Sequence, residues 1–133
     1  MLISREVDYG IRIVMILSNS KLVKIDAKEI SETSGVSLRF TLKILGKLSS
    51  SDIVKSFRGA KGGYLINKNP KEISIYDIIC ALEGDVKVNA CFEDKEICSL
   101  ERCDVCSIHS NLRRIRTNLI SDLRDTTIDM LIN

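Results

Sequence analysis

Between two β-prone runs, Ile53 to Phe57 and Tyr64 to Asn67, lies the segment Gly59-Ala60-Lys61-Gly62-Gly63, and no other stretch limits the possible folds as much. Its glycines supply the positive φ angles of a tight hairpin tip, and Arg58 and Lys61 put cations on it. Two short helices are signalled just upstream. Asp26 with Glu29 three residues later predicts a capping box opening a helix from Ala27 to about Ser34, which Gly35 stops. Ser37 caps a second helix over Leu38 to Ser49. Projected at about 100° per residue, its Leu38, Phe40, Leu42, Ile44, Leu45 and Leu48 share one broad apolar arc. Arg39, Lys43 and Lys47 recur at i, i+4 and i+8 on the opposite side, with no acid among them. Helix, turn, helix and pinched hairpin in this order predict a winged helix-turn-helix, mainly α with a small β-hairpin wing.

Charge assigns this unit a partner. The net charge of +2 conceals a division: residues 1 to 73 carry 13 basic and 7 acidic side chains, residues 74 to 133 carry 7 and 11. From Val36 to Gly63 six Lys or Arg face one acid, Asp52. A basic helix suits a major groove, and a glycine-rich loop with an arginine at its base suits the adjacent minor groove or backbone, so double-stranded DNA is the expected ligand.

The rest of the chain divides into supports and a second site, with expected segments 1–84, 85–106 and 107–133. Ser4 to Ser18 is amphipathic, with Val7, Ile11 and Val14 facing the core and Ile13 and Leu17 flanking them; Asp8 and Arg12 form an i, i+4 surface pair. Ser74 with Asp77 opens a helix that Gly84 closes, turning Ile75, Ile78, Ile79 and Leu82 inward and carrying Cys80 as a small core hydrophobe. Ser107 caps a longer helix to about Arg124, whose Ile108, Leu112, Ile115, Leu119 and Leu123 form a coiled-coil-like seam suited to pairing with a second copy. Thr127 with Ile128 to Ile132 reads as a final half-turn packing back.

Between the last two helices, residues 91 to 109 have the spacing Cys-x6-Cys-x4-Cys-x2-Cys-x2-His. Glu93, Asp94, Glu96, Glu101 and Asp104 make this loop too polar to build a core, so it has little reason to order itself unless something binds the sulfurs. With no apolar leader and no apolar run of about 20 residues, a cytoplasmic protein is expected, and its five cysteines call for metal or redox chemistry rather than disulfides. Cys106, at the start of the long helix, stands where a helix dipole and free amides favour a thiolate.

Basic winged helix, cysteine loop and long helix together resemble the bacterial Rrf2-type transcription regulators that carry an iron-sulfur cluster, typified by IscR and the nitric-oxide sensor NsrR. The resemblance is carried by Ser37-Leu38-Arg39-Phe40, by Val54 to Ile66 with Arg58-Gly59-Ala60-Lys61-Gly62-Gly63-Tyr64-Leu65, and by the cysteine loop. It implies a homodimeric regulator, a repressor, reading a pseudo-palindromic operator and responding to iron-sulfur or iron status, redox state or nitric oxide. It implies a [2Fe-2S] or [4Fe-4S] cluster held by Cys91, Cys98 and Cys106, with His109 or Asp8 as fourth ligand and Cys103 as an extra thiol that could replace Cys106 or act as a resolving thiol. On the DNA side it points to Ser37, Arg39, Phe40 and Thr41 at the start of the recognition helix and to Arg58 in the wing, beside the stripe residues Lys43 and Lys47 and the tip residue Lys61.

Two alternatives keep the fold and drop the iron. Cys98, Cys103, Cys106 and His109 have the composition of a Cys3His zinc site in a constitutive binding module, and Cys103 with Cys106 has that of a thiol redox switch. An enzyme acting on a small-molecule substrate is not expected, because the single histidine has no nucleophile and orienting group around it and no phosphate-binding loop follows a strand.

Overall fold

In the computed structural model, which describes residues 3–132, the chain forms α1 (Arg5–Asn19), α2 (Ala27–Ser34), α3 (Leu38–Ser50), β1 (Val54–Phe57), β2 (Gly63–Ile66), α4 (Ile75–Glu83), α5 (Ser107–Asp125) and α6 (Ile128–Leu131). Single 3-10 turns lie at Pro70–Glu72, Ala90–Phe92 and Lys95–Ile97. Residues 1, 2 and 133, the outer ends of the expected segments, lie outside the described residues.

Local chemistry sets most boundaries. Ser4, Asp26 and Ser37 each accept from a backbone amide three residues on, at 3.2, 2.8 and 3.3 Å, and Gly35 ends α2 in the left-handed region at φ 71°. At Asp26 the cap forms from the aspartate side; among the described residues the reciprocal capping box forms at Ser74 and Asp77. Cys106, not Ser107, occupies the N-cap position of α5.

The core is aliphatic and shared by the helices. Val7, Ile13, Val14 and Leu17 of α1 meet Ile30 of α2, Ile44, Leu45 and Leu48 of α3, and Ile78, Ile79 and Leu82 of α4. Ile11, expected at the centre of the α1 core face, is only half-buried, and Ile13 takes that place. Gly10 lets α1 and α4 approach: a Cβ there would stand 2.5 Å from Leu82 Cδ1. The chain's end returns to this core, as expected, through a Ser74–Thr127 bridge, a bond from Ile128 N–H to the Ile73 carbonyl and a fully buried Ile128.

β1 and β2 pair antiparallel with Val54 opposite Ile66 and Phe57 opposite Gly63. Ile25, between α1 and α2, adds a two-bond bridge to Tyr64, 2.8 and 3.1 Å, which fastens the wing to the helices. Gly63 at φ 148° is required at this edge, since a Cβ would come within 3.0 Å of the Ile25 carbonyl oxygen.

Two expected apolar stripes are narrower than the pattern suggests. On α3 the buried set is Thr41, Ile44, Leu45 and Leu48, the i, i+3, i+4, i+7 stripe of a helix covered on one side; Leu38 and Leu42 lie about 20° and about 60° beyond its edge and are 46% and 47% exposed. On α5, Leu119 and Leu123 pack against their own core, while Ile108 and Ile115 remain exposed. No helix among the described residues is long and apolar enough to cross a membrane.

Candidate functional site: recognition helix, wing and cysteine loop

α3 follows α2 through the Gly35 turn, and one flank of its N-terminal half is exposed. Arg39 and Lys43 are exposed side by side one turn apart. Ser37 is exposed too; its oxygen accepts the Phe40 amide, leaving its O–H free to donate outward. Phe40 is half-buried, its ring edge-on to Tyr9 at 5.7 Å, with Lys43 Nζ 5.4 Å from its centroid.

Two residues assigned to DNA on the sequence pattern turn away from it. Thr41 is completely buried and its hydroxyl donates to the Val36 carbonyl at 3.5 Å, because the core stripe of α3 passes through position 41. Lys47 reaches back into the body, donating to Glu6 Oε1 at 2.6 Å and to the Leu82 carbonyl at 2.9 Å. It ties α3 to α1 and to the C-terminal end of α4. The stripe of three cations is therefore a pair.

Arg58 and Lys61 are exposed at the wing tip, where Gly59 turns the chain at φ 93°. The sequence pattern missed a neighbour: Lys24 donates to the Lys61 carbonyl at 3.3 Å and sits 4.4 Å from the Phe57 ring centroid. Lys24 precedes the helix-turn-helix, and only the Ile25–Tyr64 bridge brings it to the wing.

In the cysteine loop all four thiols are free and half-buried. Cys91 Sγ lies 3.2 Å from Nδ1 of His109, which is buried on α5 with its ring stacked on Phe92 at 4.6 Å. The other ring nitrogen, Nε2, faces Arg113 at 3.2 Å. The backbone amides of Arg102 and Leu100, with Glu101 and the neighbouring Cys103 thiol adding less, hold the Cys98 thiol below its ordinary pKa, and the Cys103 thiol donates to the Lys95 carbonyl at 3.8 Å. Partial burial and the neighbouring Cys98 charge push the Cys103 thiol up. Cys106 sits at the N-cap of α5. Asp8 pairs with Arg12 at 2.7 Å on the exposed side of α1. Among the described residues no three of these donors come together around one point; Cys91 stands against His109, and Cys103 lies near Cys98.

The profile of the Rrf2 family, described as iron-dependent transcriptional regulator, matches residues 3–133. The chain belongs to the Rrf2 family. It is 32% identical over 105 residues to the HTH-type transcriptional regulator IscR of Pectobacterium atrosepticum, a match covering 79% of this chain and 62% of that protein's length. Among solved structures it resembles the IscR of T. potens, at 25% identity and TM-score 0.75, covering 98% of this chain and 86% of that one. It also resembles CymR, the global cysteine regulator of B. subtilis, at 28% identity and TM-score 0.72, covering 99% and 96%. The Rrf2 family and these relatives are transcription regulators, not enzymes, and the fold is the winged helix-turn-helix of that group.

This Rrf2 chain joins its loop to its helices through side chains that no motif signals. Arg116 on α5 donates to the Val86 carbonyl and to Asp85, both at 2.6 Å, and lies 5.9 Å from the Phe92 ring that stacks on His109. Tyr76 on α4 donates to the other Asp85 oxygen at 2.7 Å. The Tyr76 hydroxyl, helped by the Val86 amide and by Arg116, holds the Asp85 carboxyl below its ordinary value against the opposing effect of burial. In return the Tyr76 phenol is pushed up to about 12, so it stays a donor.

Proposed function

We propose that this chain acts as a homodimeric repressor whose cysteine loop holds an iron-sulfur cluster, [2Fe-2S] or [4Fe-4S], and whose grip on a pseudo-palindromic operator depends on that cluster. The observation that carries the reading is the contact of Cys91 with the buried His109, 3.2 Å apart at the start of α5. Thiolates and an imidazole are the donors such a cluster takes, and the amides around Cys98 suit an anionic sulfur. Cys91, Cys98 and Cys106 would be the sulfur ligands and His109 the fourth; Asp8 of a second copy is the competing fourth ligand, and Cys103 a spare thiol. A bound cluster supplies sensitivity to iron supply, oxidation or nitric oxide, and the protein supplies its consequence. The path runs from the loop start at Asp85 and Val86, held by Arg116 and Tyr76, to the last turn of α4, whose Leu82 carbonyl is bound by Lys47 of the recognition helix.

On the DNA side Ser37, Arg39 and Lys43 line the exposed flank of α3, and Arg58 and Lys61 the wing. Exposed Ile108 and Ile115 on α5 suit a second copy, which sets two recognition helices on half-sites about 34 to 36 Å apart, in the cytoplasm where the chromosome lies. Cluster-loaded and cluster-free protein are expected to differ by about 5- to 150-fold in operator affinity in a gel-shift or anisotropy titration, the range of ordinary allosteric coupling. Equal affinities would overturn the sensing role.

A second reading rests on the Cys98–Cys103 pair. A thiol switch would use Cys103 with a neighbouring cysteine, Cys98 or, as the spacing suggested, Cys106. The chain resembles S. aureus CymR, solved in an oxidized form, at 27% identity and TM-score 0.72. The zinc alternative loses ground, because His109 stands with Cys91 rather than with the three later cysteines.

A further inference from the structure

Leu38 and Leu42 lie one helical turn apart at the edge of the exposed face of α3, each nearly half exposed, beside the fully buried stripe of Thr41, Ile44, Leu45 and Leu48. Single exposed leucines are ordinary on protein surfaces. These two are not scattered: they share a face with Arg39 and Lys43 on the second helix of a helix-turn-helix, and no acid lies on that helix. The cations suit this face to nucleic acid, where an exposed leucine needs an apolar partner. In the major groove the one apolar group presented by a base pair is the C5-methyl of thymine.

We propose that Leu38 and Leu42 read thymine methyl groups, making each operator half-site carry two thymines under α3. Four residues of helix rise by about 6 Å, and base pairs stack about 3.4 Å apart, so the two thymines lie two base pairs apart. Arg39 and Lys43, together along the outer side of this apolar ridge, hold its register through phosphates or guanine edges. The inference rests on the DNA-binding reading above and adds to it the base that is read and the side chains that read it.

The test starts from duplexes that the full-length protein enriches from a randomised pool, remade with deoxyuridine in place of thymine so that only the methyl is lost. Affinity is expected to fall about fourfold per contacted thymine, the factor that burial of one methylene-sized group gives. Leu42→Ala should bind with unchanged salt dependence, its fold checked by circular dichroism, and lose discrimination at one thymine; Leu38→Ala should lose it at the other. Enriched duplexes without thymine under α3, or equal discrimination by wild type and both variants, would overturn this inference and leave DNA binding standing. A pool from which nothing is enriched would overturn the operator reading and this inference with it.

Discussion

The helical body and the cysteine loop of this chain follow opposite rules. In the body, side chains such as Ile13, Ile44 and Ile78 are fully buried, and each turn ends on a cap or a glycine. In residues 91 to 106 none of the side chains is fully buried, and Ile97, Leu100 and Val105 are more than half exposed. The loop's order rests on 3-10 turns, on surface ion pairs such as Lys87–Glu93 and Lys95–Asp104, and on the single buried anchor His109 just beyond it. Exposed pairs of this kind contribute little. The lesson is a division of labour: apolar burial holds the DNA-reading unit, while short turns, surface pairs and the His109 anchor hold the loop.

The sharpest way to break this contrast is to truncate both regions. Ile78→Ala should cost about 2–5 kcal/mol in urea unfolding, the range for a buried isoleucine, whereas Leu100→Ala should stay within about 0.5 kcal/mol. Comparable losses would mean that the loop is part of the core.

Lys47 tests the boundary between holding and reading. Lys47→Met keeps the aliphatic stem but leaves Glu6, with a side chain only 16% exposed, and the Leu82 carbonyl without their donor. A loss of about 1–3 kcal/mol is expected. The salt slope of DNA binding should be unchanged in this variant and should fall by about 1 in Arg39→Ala. A lower slope for Lys47→Met would return it to the DNA surface.

The smallest expected effect lies at the hinge between the two regions. The Asp85 pKa is lower in the folded chain than in the unfolded one, chiefly through the Tyr76 hydrogen bond. Its contribution is therefore complete above the unfolded carboxylate value of about 3.9 and disappears as pH falls through the lower folded value. Unfolding midpoints measured across that window should fall less steeply in Asp85→Asn than in wild type; parallel slopes would show that Asp85 does not couple loop and helix.

What could be read from the sequence was local. Asp26, Gly35, Ser37, Ser74 and the glycines of the wing act on neighbours within a few residues, so the helix-turn-helix and its hairpin were legible. Lys47 was misassigned because its partner Glu6 lies 41 positions away, and a helical projection contains no information about α1 or α4. The same limit put Leu38 and Leu42 on the apolar arc, whereas Thr41 was assigned to DNA by the family resemblance alone. In the loop, spacing marked the right residues but not their pairing: Cys103 stands by Cys98 across a turn made by backbone amides, and Arg116 finds Asp85 31 positions away.

The most direct test counts iron and acid-labile sulfide per chain in protein isolated without oxygen, together with its visible spectrum. Equal, stoichiometric amounts of both are expected, with charge-transfer absorption that Cys91→Ala, Cys98→Ala or Cys106→Ala abolishes and Cys80→Ala keeps; His109→Ala should destabilise the centre more than Asp8→Ala does. Protein that holds neither element after anaerobic reconstitution would contradict the account.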